Sequence, residues 1–179
     1  PTAYLSTHTG GFTGNTFLDL SDAMAGAMDH WRALGLRFST IYTGFMGSAR
    51  QMALAADFIR DVRTPATLVV VDPVMGDHGK LYRTYTAEMC RAMALLADAA
   101  DVIVPNYTEA AQLLSLPYEA VTAAAPEDTV RRLSREGSRS VVLTGVSLRP
   151  GQIGAACFDR QSGSVSLVQT AFVSRAFHG

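Results

Sequence analysis

Two aspartates stand five positions apart in Asp72-Pro73-Val74-Met75-Gly76-Asp77, directly after the apolar run ATLVVV at 66–71. Carboxylates gathered in a tight loop can hold a hard divalent cation such as Mg2+ through their oxygens or through water. Pro73 forbids continuation of a strand and Gly76 lets the loop turn back. The plain alternative is a loop whose aspartates cap a following turn, but a strongly polar loop between two apolar elements favours function. Asn106 and Glu109, three positions apart after DVIV, allow two roles. At a helix start this spacing is a capping box, each side chain satisfying a free amide. A Glu on that first turn, at the end of a strand, also faces a ligand crevice and can support magnesium through water. If so, Glu109→Gln is expected to spare the helix start, since Gln can still serve the box, and to weaken magnesium-dependent activity.

Other polar residues carry less. Gly10, Gly11 and Gly14 in THTGGFTG do not match the spacing of a P-loop or a dinucleotide fingerprint, although His8 and Thr9 beside them offer hydrogen bonds. His30 and His78 read as solvent-facing or capping. No Ser-His-Asp order and no metal-binding His/Cys cluster stands out, which argues against a hydrolase or a zinc enzyme.

These residues need a scaffold, and the hydrophobic pattern predicts one. Helical spacing covers 17–34 with Gly35 as its stop, then Ser48 to Arg63 with Pro65 beyond it, 86–99, a helix from about Tyr107, and 126–137. Apolar runs at 38–45, 66–71, 101–104 and 140–145 predict strands, those at 66–71 and 140–145 with the pattern of burial on both faces. Two alternating runs around Gln161-Ser162-Gly163 predict a β-hairpin. Strands alternating with helices imply an α/β fold with a mainly parallel sheet, helices on both faces, and the hairpin adding antiparallel strands at one edge. Ligands of such sheets bind beyond the carboxyl ends of the strands. Thr43-Gly44-Phe45, Asp72, Asn106 to Glu109 and Thr144-Gly145 all fall there. The methionines at 86–99 read as core packing.

Composition narrows the function classes. The 179 residues are 48% hydrophobic and 17% charged, with 15 basic and 16 acidic side chains, so burial can offset chain entropy. A net charge of -1 gives no cationic footprint for nucleic acid, and no apolar stretch approaches the ~18 residues of a membrane span. Cys90 and Cys157 make neither a disulfide framework nor a zinc site, and a cytoplasmic location is the default expectation. Without repeats or a linker, residues 1–179 are expected to form one domain. The start at Pro1 and the apolar close FVSRAFHG predict a chain that continues beyond both ends.

The ordered succession STHTGG, TGFMGS, DPVMGDHGKLY, DVIVPNYTEAAQLL, VVLTG and a terminal FHG resembles the pyridoxal/pyridoxamine kinases of the ribokinase-like superfamily. The resemblance runs over essentially the whole chain, with DPVMGDxGKLY and PNxxEA as its specific parts. It implies a three-layer αβα fold and ATP-dependent phosphorylation of the 5′-hydroxymethyl group of a B6 vitamer. Thr9 would hydrogen-bond the pyridine ring, with Ser6 and His8 nearby. Phe45 replaces a stacking aromatic that is Tyr in several relatives. Asp72 and Asp77 would border the nucleotide phosphates and cations, Asn106 and Glu109 the magnesium–phosphate network, with Asp72 and Glu109 towards the metal. Thr144 would meet the ATP phosphates, and Tyr82 would lie on a closing loop. Gly179 reads as the first residue of a G-T-G-D motif whose amides form an anion hole and whose Asp takes the hydroxyl proton. That Asp lies beyond Gly179, so residues 1–179 alone are expected to lack kinase activity. Mg2+, ATP, a monovalent cation and a homodimer are implied by the same resemblance. Hydroxymethylpyrimidine kinase, of the same fold, and a non-catalytic nucleotide- or vitamer-binding protein are the competing readings.

Overall fold

The computed structural model describes residues 1–7 and 14–173. An antiparallel ribbon of β1 (Ala3–Leu5) and β2 (Phe17–Asp19) comes first. The helix expected over 17–34 therefore begins later, as α1 (Ser21–Ala33). Phe17, Leu18 and Leu20 imitate helical spacing, but residues 17–19 pair with 3–5, and Asp19 Oδ1 accepts the Ser21 amide at 2.6 Å to start the helix. Gly35, at φ 65°, ends it as expected.

Then follow β3 (Thr40–Thr43), α2 (Ala49–Val62), β4 (Leu68–Val71), the small ribbon β5 (Gly76–Asp77) and β6 (Lys80–Leu81), α3 (Ala87–Asp98) and β7 (Val102–Ile103). Next come α4 (Tyr107–Leu114), α5 (Tyr118–Ala123), α6 (Pro126–Leu133), β8 (Ser140–Val146), β9 (Gln152–Phe158) and β10 (Val165–Ala171). Ser48, Thr86 and Asn106 cap α2, α3 and α4 through their side-chain oxygens. The helix expected over 126–137 stops at Leu133, because Arg135, Glu136 and Gly137 all have positive φ. Helix α5 and the β5–β6 ribbon lie within stretches that carry no periodic signal.

Six strands form the central sheet in the order β10-β9-β8-β7-β4-β3. The four from β3 to β8 are parallel, and the β9–β10 hairpin adds the expected antiparallel edge. Every parallel crossover steps in the same direction, from β3 to β4 to β7 to β8. Right-handed crossovers of that kind place all their helices on one face. The burial pattern agrees. Val69, Val71, Ile103, Val141, Leu143 and Ala156 are fully buried beneath α2, α3, α4 and α6, whose Met52, Ile59, Met93, Leu96 and Leu133 complete the core. On the other face Tyr42, Leu68 and Val168 are 62%, 42% and 64% exposed. Burial on both faces is expected for 66–71; the described residues supply cover on one of them. The described residues build two layers of the three-layer αβα sandwich. Met89 and Met93 on α3 are core, as expected.

Candidate active site

The strands β3, β4, β7 and β8 end side by side, and main-chain hydrogen bonds tie the loops that leave them. Asp72 N–H donates to Thr43 O, Val104 N–H to Val71 O, and Thr144 N–H to Pro105 O. The expected rim residues from Thr43 to Phe45, from Asp72, from Asn106 to Glu109, and Thr144 are thus neighbours on one edge.

Asp72 follows β4 and is half-buried. Burial raises its pKa, and the Tyr42 hydroxyl, donating to Oδ2 at 3.0 Å, opposes that rise. Oδ1 takes no hydrogen bond among the described residues. Glu109 is 3% exposed. Its Oε1 accepts the Met75 amide at 3.1 Å and its Oε2 the Asn106 amide at 2.8 Å. Burial pushes its pKa up to about 7, with these two amides acting against the rise and the Asp72 charge adding to it. Asn106 completes the capping box by accepting the Glu109 amide at 3.0 Å, and its Nδ2 donates to Gly76 O at 2.8 Å. Both its side-chain polar atoms are thereby engaged in holding the loop after β4 against the start of α4.

The β5–β6 ribbon is clamped to the same helix, since Gly79 N–H donates to the Thr108 hydroxyl at 2.8 Å. Gly76 admits no side chain, because a Cβ there would lie 2.2 Å from Lys80 O. Asp77 is exposed at the ribbon turn, where its Oδ1 accepts the His78 amide. Tyr82 N–H donates to Met75 O, which folds the chain back over the aspartate loop. Partial burial, then the charges of Glu109, Asp77 and Asp72, raise the Tyr82 pKa, so its hydroxyl lies in the field of all three carboxylates. Thr144 donates weakly to Pro105 O at 3.4 Å, just before a bulge at Gly145.

The substrate-side residues are less fully described. Ser6 closes the β1–β2 ribbon by accepting the Thr16 amide at 2.8 Å. Phe45 stands after β3, with its carbonyl accepting from Thr2 Oγ1. His8, Thr9 and Gly179 lie outside the described residues. Three contributors escape sequence reasoning. Tyr42 and Thr108 act across a sheet register and a loop contact that spacing does not encode. Fully buried Gln51 donates to Thr2 O and accepts the Gly47 amide, joining the β1–β2 ribbon to the turn before α2; its one signal is a polar residue on the apolar stripe of α2.

Hard oxygen donors fit magnesium, which is commonly held by one or two carboxylates together with substrate phosphates. Asp72, with one oxygen unengaged among the described residues, suits direct contact. Glu109, with each oxygen on an amide, suits support through water or charge. Among the described residues no group of three or more His, Cys, Asp or Glu forms a cage.

The family model for phosphomethylpyrimidine kinase matches residues 22–179. A pyridoxal kinase of Vibrio campbellii is 35% identical over 142 residues, 76% of this chain and 47% of that protein. Pyridoxal kinase from Lactobacillus plantarum superposes with a TM-score of 0.87 at 32% identity, over 99% of this chain and 62% of its own. A candidate phosphomethylpyrimidine kinase from Bacteroides thetaiotaomicron, crystallised with pyridoxal, gives 0.89 at 38% identity over 97% and 61%. The chain thus spans about half the length of the curated relative and about three fifths of each solved chain. It belongs to the phosphomethylpyrimidine kinase family of the ribokinase-like superfamily, with pyridoxal kinases among its relatives.

Proposed function

We propose that this protein phosphorylates the 5′-hydroxymethyl group of a B6 vitamer with ATP, as one ribokinase-like domain. The observation that carries the reading is the pair of carboxylates at the strand ends, Asp72 with an oxygen unengaged and Glu109 buried behind it. Phosphoryl transfer asks a protein mainly for in-line positioning and for neutralisation of phosphate charge. Magnesium, when bound, supplies that neutralisation.

The chain's own residues do the rest. Asp72 orients the cation–phosphate group, and Glu109 adds negative charge from within while locking the loop. Thr144 and Asp77 border the nucleotide phosphates, and Asn106 holds the loop that meets them. Phe45 stacks on the vitamer ring, to which the family resemblance also assigns Ser6, His8 and Thr9, and Tyr82 lies on the loop that closes over the site. Asp72 is a poor proton acceptor there, because a neighbouring cation keeps a carboxylate ionised and weakly basic. The acceptor is assigned instead to the aspartate of the motif that opens at Gly179. Magnesium as the divalent ion, a monovalent cation, a homodimer and a cytoplasmic location belong to the same reading; no helix among the described residues is long and apolar enough to cross a membrane.

Phosphorylation of hydroxymethylpyrimidine is the second reading, favoured by the description of the family model. A coupled ADP-release assay with the full-length protein separates them, using pyridoxal, pyridoxine, pyridoxamine and hydroxymethylpyrimidine in parallel. Turnover of the vitamers is the expected result. Turnover of the pyrimidine alone overturns the substrate assignment, and ADP release with none of the four overturns the kinase reading in favour of a binding protein.

A further inference from the structure

Tyr42 lies on β3 opposite Val70 of β4, on the sheet face that carries no helix among the described residues. Asp72 lies two residues beyond Val70, on the same face. Two residues along a strand span roughly 6–7 Å, a distance a tyrosine side chain can bridge. The hydroxyl makes that bridge, donating to Asp72 Oδ2 at 3.0 Å. The ring passes beside the turn after β3, where a Cβ on Gly44 would stand 3.9 Å from its Cε1. Thr43 O accepts the Asp72 amide at 2.9 Å, so the two strand ends are already fixed to each other by the main chain.

That arrangement removes one specific freedom. The terminal torsion of an aspartate has broad, weakly defined wells, so a carboxylate with no partner rotates easily. Asp72 has a single side-chain partner among the described residues, and it is Tyr42. The geometry points to Tyr42 as a positioning residue that fixes the Asp72 carboxylate plane by holding Oδ2, which turns Oδ1 to the rim for a cation-bound phosphate. The inference rests on the kinase reading above for the identity of that ligand, but the orienting contact stands apart from it. Tyr42→Phe keeps the ring and removes only the hydroxyl, so loss of the contact is separable from loss of packing.

The test is Tyr42→Phe in the full-length protein, with Asp72→Asn and the double variant beside it. Binding of Mn2+ in the presence of ADP is read by electron paramagnetic resonance of the free ion, and vitamer turnover is measured in parallel. Removal of a group that orients a metal ligand costs about tenfold in metal affinity or activity at the lower end of its usual range. Tyr42→Phe is accordingly expected to weaken Mn2+ binding about tenfold and to lower kcat, with KM for the vitamer and the melting temperature unchanged. In the Asp72→Asn background the same change should cost nothing more, because the two residues act as a unit. Unchanged Mn2+ binding in Tyr42→Phe overturns the inference, as does a full additional loss in the Asp72→Asn background. If Mn2+ binding weakens as expected while no vitamer is turned over, the orienting role holds and the kinase reading fails. If the unaltered protein binds no Mn2+ with ADP, both fall.

Discussion

Glu109 on α4 accepts the Met75 backbone amide at 3.1 Å, so the loop after β4 and the first turn of α4 are joined through one buried carboxylate. The other carboxylate oxygen accepts the Asn106 amide. A glutamine has one acceptor oxygen and an NH2 group that cannot receive an N–H. Glu109→Gln can therefore keep the capping box, as expected, only by giving up the Met75 amide. The substitution should strand one buried amide and lower stability by about 1–3 kcal/mol, read as a drop in the urea midpoint at constant slope.

The same group gives the protein a pH dependence. Burial raises the folded-state pKa of Glu109 to about 7 from 4.5. Between those values the unfolded chain has released the proton and the folded protein still binds it. Stability from this group is thus fully present below about pH 4.5, falls as pH rises towards 7, and levels off above it. Urea midpoints measured at intervals from pH 4.5 to 8 should show this fall in the unaltered protein, and Glu109→Gln should lack that component.

Gly76→Ala is expected to open the β5–β6 ribbon. The added Cβ would meet Lys80 O at 2.2 Å and Leu81 Cα at 2.8 Å, both backbone atoms that no rotamer change can move away. A cost of about 1–3 kcal/mol follows from such overpacking. Tyr82 should lose its position over the carboxylates, so activity should fall by more than the folded fraction does. Calorimetry alongside initial rates checks this.

Asp101 offers a contrast, because it serves the opposite ends of the strands. Its side chain is 5% exposed, accepting the Val69 amide at 2.9 Å on one oxygen and Arg63 and Arg160, each at 2.7 Å, on the other. Asp101→Ala should cost about 3 kcal/mol, the low end for a broken buried pair, because each arginine is 37% exposed and regains water. KM values should not move. Burial pushes the Asp101 pKa up, but the Val69 amide and the two arginines outweigh it and hold the pKa below its ordinary 3.8. Its stabilisation is present above that value and is lost as pH falls through the lower, folded-state pKa, which acid unfolding of the two proteins will compare.

Much of this was legible in the sequence because strand ends and helix caps are local. The run at 66–71, the Asn106–Glu109 capping box, and the hairpin around Gln161-Ser162-Gly163 each depend on a few adjacent residues. Phe17, Leu18 and Leu20 fit a helix as well as a strand, and pairing of 17–19 with 3–5 decides between them. At the site, composition and spacing brought Asp72, Asn106, Glu109 and Thr144 to one rim. They could not reveal that Glu109 also accepts the Met75 amide, or that Tyr42 reaches Asp72. Those are contacts between residues about thirty positions apart, set by a loop packing on a helix and by strand register.

The one-way winding of the sheet has a consequence for the order in which the chain can assemble. Thr40 meets Leu68, Val70 meets Val102, and Val102 meets Ser140, so each parallel strand adds beside the one that precedes it in the sheet. Each pairing closes a loop of about thirty to forty residues, and doubling a loop of that size costs only ~0.6 kcal/mol more. A ribosome releases the chain in that same order, at about 5–20 residues per second. Each of these strands emerging from the ribosome can thus find the edge of its predecessor waiting, β4 beside β3, β7 beside β4 and β8 beside β7.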